Sequence, residues 1–376
     1  MKFCVDIQTR APGALEDDNL KGERRWERQA ARALLNAGRQ VGSIHDSWGS
    51  PDTSLWLGRI GNLSGHTLIT QADPGNVRYK PGAEAFVSNV FCGLAPEAEA
   101  EVYRAVSEMG RERVFLTHSF QVHVALKRLP EDLHDRIRWL PAPAVPCVRR
   151  DIDTFKNKMF LWSARAISFR MINPLPSILN LLEWIRGCLK ADPELRFEVL
   201  ASEERMNQDE ADRYVWGFPP FAAAFQDVRS QVTIHPSISW SEVQKIFART
   251  KLIVNDPTAF GGPPIEAASF GIPVPGVPCS SFHTTTPDEA LWREAKGYID
   301  LRPAFPEFVS VGDNYRGGGG RCGLVDPCTL VDILDQWNKD GDEYRRIGEG
   351  YRSFVEKTYT YAAFVRHLDA ILAAQS

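Results

Sequence analysis

The feature that most constrains the fold is a regular alternation of short apolar segments with amphipathic helical segments. In the first half of the chain, strand-like segments lie at 2–8, 40–46, 67–72, 85–91, 113–118 and 137–143. Helical patterns lie between several of them, at 23–38, 96–110 and 119–129. Within the first helical pattern, Trp26, Ala30, Ala33, Leu34 and Ala37 fall on one face. This alternation predicts a mostly parallel sheet covered by helices.

The same alternation starts again after a proline- and charge-rich stretch at 141–158, which is typical of a link between domains. Further strand-like segments lie at 159–164, 195–201, 232–236, 252–256 and 272–277. Helical patterns lie at 174–189 and 239–250, from Pro264 onward, and in three segments near the end, the last from Ala362. The 376 residues suit two domains. We therefore predict an α/β protein with two tandem Rossmann-like, doubly wound domains that face a cleft.

One segment, 279–323, fits this alternation poorly. Its four consecutive glycines, Gly317 to Gly320, indicate either a loop or a lid that becomes ordered on substrate.

Charge and cysteine content exclude several classes of protein. The formal net charge is -4, which argues against a protein that mainly coats nucleic acid. The seven cysteines are scattered and form no C-x-x-C pair, so we expect no disulfide framework and no metal site. No apolar run reaches the ~18 residues of a membrane span, and the first residues lack a signal-peptide pattern. We expect a cytoplasmic protein, with peripheral contact to the membrane as the alternative left open.

The stretch at 255–274, "NDPTAFGGPPIEAASFGIPV", combines a glycine turn, two prolines and a carboxylate. Gly261 and Gly262 allow close approach of backbone to a ligand, and Pro264 suits the first turn of a helix. The N–H groups at such a helix end bind phosphate. Glu266, expected in the first turn, is placed either to accept hydrogen bonds from a ribose diol or only to complement the helix dipole.

Residues 252–274 resemble the donor-binding signature of retaining glycosyltransferases with the GT-B fold, especially glycosyltransferase family 4. The resemblance continues in "KGERRWERQAARALLNAGRQV" (21–41), in "FLWSARAISFR" (160–170) and in the C-terminal helices from 323 onward. It implies an acceptor-binding domain at 1–150, a nucleotide-sugar-binding domain at 151–357, and a C-terminal helix, 358–376, that crosses back to the first domain.

The resemblance also implies roles for individual residues of the second domain. Glu266 matches the glutamate that binds the ribose, and Arg165 matches the arginine that neutralises the diphosphate. Arg170 stands where a lysine is usual, and Thr258 stands where the family has a first glutamate near the transferred sugar. The remaining donor-binding positions implied are Phe260, Gly261, Gly262, Pro264 and Ile265.

In the first domain the match is weaker. Lys21 and Gly22 replace the usual Gly-Gly of the donor loop, so only Gly22 is expected to allow close backbone contact. His118, after a strand, is either a ligand of the sugar or acceptor or a structural histidine. The basic stretch "KGERRWERQAAR" fits a solvated helix face, with contact to anionic lipid or phosphate as the alternative. Its basic residues are Arg24, Arg25, Arg28 and Arg32, beside Trp26.

The implied activity is transfer of a hexose or pentose from a nucleotide-diphosphate sugar to an acceptor hydroxyl, with retention of configuration and without a metal or other cofactor. The acceptor classes left open are a glycan, a lipid-linked glycan at the membrane, a small molecule and modified nucleic acid. Because Thr258 cannot supply the negative charge of a glutamate, the alternative is a non-catalytic nucleotide-sugar-binding or partner protein.

Overall fold

The structure, a computed structural model, describes two compact units. One is built from Met1–Val148 and Glu356–Ser376, and the other from Arg149–Thr285 and Glu289–Val355. The described residues are 2–5, 24–43, 64–72, 85–90, 113–116, 130–149, 159–164, 185–201, 226–235, 239–254, 262–273, 309–310, 321–322 and 327–374.

The first unit contains a six-stranded sheet in which all paired neighbours are parallel. Its strands are β1 (Lys2–Val5), β2 (Gln40–Ser43), β3 (His66–Ala72), β4 (Ala85–Val90), β5 (Arg113–Leu116) and β6 (Ile137–Trp139). The strand order is β2-β1-β3-β4-β5-β6, so the direction of winding reverses between β1 and β3. Helix α1 (Arg24–Asn36) lies between β1 and β2 in the chain. The six strands lie in segments that the sequence predicts as strands, except that β3 begins at His66, one residue before the predicted start.

The second unit contains a four-stranded parallel sheet in the order β10-β7-β8-β9. Its strands are β7 (Met159–Ala164), β8 (Arg196–Ala201), β9 (Val232–His235) and β10 (Leu252–Val254). The helices of this part are α2 (185–191), α3 (Gln226–Arg229), α4 (Trp240–Phe247) and α5 (Gly262–Ser269). Strands β11 (Val309–Ser310) and β12 (Arg321–Cys322) form a short antiparallel pair on either side of the glycine run.

Three helices end the described chain: α6 (Pro327–Lys339), α7 (Gly341–Thr358) and α8 (Tyr361–Ala373). Between α7 and α8 the backbone pairs with Val145 of the first unit. The Ala144 N–H donates to the Tyr359 carbonyl at 2.9 Å, and the Tyr361 N–H donates to the Val145 carbonyl at 3.0 Å. Thr360 caps α8 by accepting a hydrogen bond from the Ala363 N–H at 3.2 Å. These bonds fix the start of α8 within the first unit.

The core of the first unit lies where α1 and α8 meet the sheet. Buried apolar residues from all three elements form one cluster, which contains Phe3, Ala30, Ala31, Ala33, Leu34, Ile69, Leu140, Tyr361, Phe364 and Leu368. The alanines of α1 allow α8 to pack closely against it, because a methyl side chain takes little space between two helices.

Several expectations about the helices are wrong in detail. Ala37 is exposed, because α1 ends at Asn36 and Gly38 turns the chain with φ +69°. Arg28 is buried rather than part of a solvated basic face. Helix α5 begins at Gly262, two residues before Pro264, and Ile272 and Pro273 are not in a strand.

Truncation of the α8 core tests this packing. Leu368→Ala should lower the unfolding free energy by about 2–5 kcal/mol, the usual cost of a buried leucine, because Leu368 is fully buried. Leu372→Ala, on the same helix at a partly buried position, should cost less. Urea denaturation of the two variants measures the difference, and equal losses would contradict the assignment of Leu368 to the core.

Candidate functional site

The carboxyl ends of β7 and β10 define the position of the candidate site. The two strands are direct neighbours, with Leu252 opposite Phe160 and Val254 opposite Trp162. The order β10-β7-β8-β9 reverses between them, and ligands of open α/β sheets bind at such a reversal, beyond the carboxyl ends of the strands. Because neighbouring strands lie about 4.8 Å apart, the carboxyl ends of β7 and β10 lie side by side.

Two parts of the predicted donor site follow these strands directly in the sequence. Arg165 is the residue after Ala164, the last of β7, and 255–261 joins β10 to α5. The first N–H groups of a helix have no carbonyl partner within the helix. In α5 only Gly262 and Ile265 of the first four residues carry such an N–H group, because Pro263 and Pro264 have none. These two donors and the positive dipole end of the helix suit a phosphate.

Glu266 is a buried carboxylate on this helix. Its exposed fraction is 3%, and it is the fifth residue of α5, so the expectation that it lies in the first turn is wrong. The helix dipole acts on charges within the first turn, which makes a purely dipolar role a poor explanation for Glu266. Burying a carboxylate costs free energy unless polar groups surround it. The buried position of Glu266 is therefore better explained by a group that binds polar atoms than by a surface charge.

Helix α5 is held rigidly at its C-terminal end. Gly271 has φ +76°, and the N–H groups of Gly271 and Ile272 donate to the carbonyls of Ala268 and Ala267 at 2.9 and 3.2 Å. The Ser269 hydroxyl donates to the Glu266 carbonyl at 2.6 Å. The residues from Ile265 to Pro273 are buried, as expected for a helix enclosed by its own unit.

Aromatic contacts add to this enclosure. The ring of Phe270 meets that of Phe247 from α4 edge-on, with centroids 5.4 Å apart. The guanidinium of Arg149 lies 4.9 Å from the centre of the Phe270 ring. The end of α5 is therefore packed against residues from two other parts of its unit.

Several of the predicted site residues lie outside the described residues, and their roles stay predictions. They are Gly22, His118, Arg165, Arg170, Thr258, Phe260 and Gly261. The backbones of Gly262 and Pro264 begin α5, and Ile265 is 8% exposed, so these three share one helix with Glu266.

The strands that precede Gly22 and His118 in the sequence are not neighbours in the sheet of the first unit. Gly22 lies between β1 and α1 in the sequence, and β1 borders the reversal between β1 and β3. His118 follows β5, which is three strands from β1. That separation is about 14 Å at the usual strand spacing. Strands β1 and β5 therefore end at different places along the sheet.

A charged cluster in the second sheet was missed by sequence reasoning. Glu198 of β8 is buried and contacts His235 Nε2, at the end of β9, through its Oε2. Arg249 donates from Nη2 to Oε1 of the same carboxylate at 3.0 Å. A glutamate within the apolar run "RFEVLA" was the one available signal, because a buried strand seldom carries an acidic residue without a partner.

The cluster changes the acidity of Glu198. Burial alone would raise the pKa of the Glu198 carboxyl, but the hydrogen bond and charge of His235, together with those of Arg249, lower it below its usual value of 4.5. The charged carboxylate is therefore the form that the folded state favours.

Comparison with known proteins identifies the fold. No protein-family model matches the sequence, and no curated protein sequence is significantly similar to it. The structure is similar to that of HepE from Anabaena in complex with UDP and glucose, with 11% identity, a TM-score of 0.56 and 100% of both chains covered. It is also similar to WaaG, a glycosyltransferase involved in lipopolysaccharide biosynthesis, with 12% identity, a TM-score of 0.55 and 99% of both chains covered.

A third similar structure is that of TarM from S. aureus, with 12% identity and a TM-score of 0.53. The match covers 81% of this chain and 54% of TarM, so the chain spans about half the length of that protein. At these identities the likeness concerns the fold, which is the two-domain α/β fold of GT-B glycosyltransferases.

The described residues also bear on membranes and metals. None of the helices in that part of the chain is long and apolar enough to cross a membrane. Within the same ranges, no group of three or more histidine, cysteine or acidic side chains is arranged to hold a metal ion.

The lowered pKa of Glu198 predicts how its contribution to stability depends on pH. Because the folded-state pKa lies below the usual value, the stabilisation is fully present above about pH 4.5 and is lost as the pH falls through the folded-state pKa. Glu198→Gln should lower the unfolding free energy at pH 7 by about 1–3 kcal/mol, and the difference from wild type should shrink in acid. Glu349→Gln removes an exposed glutamate and is the matched control. A deficit that stays constant from pH 7 to acid would contradict the ionic role of Glu198.

Proposed function

We propose that the chain is a glycosyltransferase that moves a sugar from a nucleotide-diphosphate sugar to an acceptor hydroxyl. The observation that carries this proposal is the buried carboxylate of Glu266 on α5, the helix that follows β10 beside the β7–β10 reversal. In this arrangement the nucleotide lies across the carboxyl ends of β7 and β10. The carboxylate of Glu266 accepts hydrogen bonds from the ribose hydroxyls, which is the role that the family 4 resemblance implies.

Charge neutralisation at the leaving group is the main catalytic contribution in this proposal. The diphosphate lies at the N-terminal end of α5, and Arg165 and Arg170 add two cationic, bidentate donors. Donors fixed in place before the reaction stabilise the charge that develops on the leaving diphosphate. The sugar–oxygen bond to the diphosphate breaks, the acceptor oxygen bonds to the anomeric carbon from the same face, and a phosphate oxygen takes the acceptor proton.

Retention of configuration and independence of a metal ion follow from the family 4 resemblance. NMR of the anomeric centre in the product tests the first, and activity in the presence of a chelator tests the second. An inverted product would contradict the assignment to a retaining family.

The donor of first choice is a uridine nucleotide, because the HepE structure contains UDP and glucose. UDP and UDP-glucose are therefore the first probes, followed by the diphosphates of guanosine, adenosine, thymidine and cytidine. The acceptors to screen are glycans, lipid-linked glycans, small molecules and modified nucleic acid. Assays with the lipid-linked glycans also test peripheral contact of the protein with the membrane.

The second candidate is a non-catalytic protein that binds a nucleotide sugar. It is favoured by Thr258, which stands where the family places a glutamate near the transferred sugar. A hydroxyl binds a sugar oxygen but gives no negative charge to a developing oxocarbenium ion. Tight binding of the donor without transfer or hydrolysis would support this candidate over the enzyme.

The assignment of Glu266 to the ribose has a direct test. Glu266→Gln keeps the shape of the buried side chain but removes its charge, so it should weaken binding of the diphosphate that binds the wild type by about tenfold, or 1.4 kcal/mol. Isothermal titration calorimetry measures the affinity, and the melting temperature reports whether the fold is kept.

Glu198→Gln is the matched control, because it removes another buried carboxylate from the same unit. It should lower stability and leave the nucleotide affinity unchanged. Unchanged affinity in Glu266→Gln, with wild-type binding intact, would contradict the ribose assignment.

A further inference from the structure

Helix α7 packs backbone against backbone on the turn that ends α5. A Cβ atom built at Gly348 would lie 2.5 Å from the carbonyl oxygen of Gly271 and 3.3 Å from its carbonyl carbon. The obstacle is backbone, which has no side-chain rotamer to move out of the way. Gly271 has φ +76°, a conformation that other residues adopt at a cost. Both glycines are therefore required for this contact.

The same face of α7 also contacts the start of β10. Tyr344 lies four residues before Gly348, one helical turn away. Its hydroxyl donates to the carbonyl of Lys251 at 2.7 Å, and Lys251 immediately precedes β10. Burial raises the pKa of Tyr344 well above 10, so its hydroxyl keeps the proton that it donates.

Further contacts stabilise the packing of Tyr344 at the start of β10. The ammonium of Lys251 lies 5.5 Å from the centre of the Tyr344 ring and donates to the side-chain oxygen of Asn338 on α6. The ring of Trp337 packs on Tyr344 with centroids 5.3 Å apart. Helix α7 thus holds β10 through Tyr344 and the end of α5 through Gly348. These are the two elements that flank segment 255–261.

We propose that Gly348 is a positioning residue for the nucleotide-sugar site. By having no side chain, it sets how closely α5 approaches α7, and so where Glu266 lies relative to the carboxyl end of β10. This inference rests on the proposed function for its ligand, because Glu266 acts on the nucleotide only if the donor binds there. Gly348 touches neither substrate nor reacting atoms in this account, and its effect passes through the backbone of Gly271.

The chain offers a matched control in the same helix. Gly341 is also in α7, and a Cβ built there meets nothing within 4 Å. Gly341→Ala is therefore the same chemical change without the contact. Val355→Ala is a second control. It removes buried side-chain volume from α7 seven residues beyond Gly348, about 10 Å along the helix axis, and so lowers stability away from the α5 contact.

The experiment has two arms on the full chain. The first measures amide hydrogen exchange at Gly271 and Ile272, which needs no nucleotide. The second measures affinity for UDP or, if the wild type does not bind UDP, for the other four nucleoside diphosphates. We expect Gly348→Ala to speed exchange at these two amides and to weaken nucleotide binding about tenfold or more, because a displacement of about 1 Å in a positioned group costs large factors. Gly341→Ala should match the wild type, and Val355→Ala should lower the melting temperature without the loss of affinity.

The outcomes separate this inference from the proposed function. Nucleotide binding by the wild type with undiminished affinity in Gly348→Ala overturns the positioning role and leaves the proposed function intact. An equal loss of affinity in Val355→Ala also overturns it, because general destabilisation then explains the effect. If the wild type binds none of the nucleotides, the proposed function is overturned, and so is the ligand on which this inference rests. In that case faster exchange in Gly348→Ala still supports the contact that holds α5, and unchanged exchange contradicts it.

Discussion

The parallel pairing of β10 with β7 is the interaction on which the candidate site depends. It brings a strand that comes late in the second unit next to the first strand of that unit, and so creates the reversal in strand order. Without it, Arg165 and segment 255–261 would leave the sheet at unrelated places. With it, the two strands that precede Arg165 and α5 in the sequence are direct neighbours, and α5 carries the buried carboxylate of Glu266.

The position of α5 then depends on packing at its C-terminal end. A glycine with positive φ ends the helix, Phe270 contacts both Phe247 and Arg149, and Gly348 lies against the backbone of Gly271. A site that binds a sugar nucleotide needs its groups fixed before the ligand arrives, because ordering them on binding would cost affinity. The buried surroundings of α5 meet this requirement, whereas a helix on the surface would not.

The sequence predicted the parts of the fold that local patterns control. Apolar runs predicted β1 to β10, and the glycine after α1 predicted its end. The sequence did not predict features that depend on contacts between residues distant in the chain. Glu198 is buried because His235 and Arg249 surround it, and Gly348 is required because Gly271 lies against it. Arg28 was expected at the surface, because helix periodicity does not show how much of the polar face of α1 the rest of the unit covers.

The most direct test is a crystal structure of the full chain with the nucleoside diphosphate that binds it. The account predicts that the ribose hydroxyls lie within hydrogen-bond distance of the Glu266 carboxylate and that the diphosphate lies at the N-terminal end of α5, beside the residues that follow β7. A nucleotide bound elsewhere, for example at the reversal between β1 and β3 of the first unit, would contradict it.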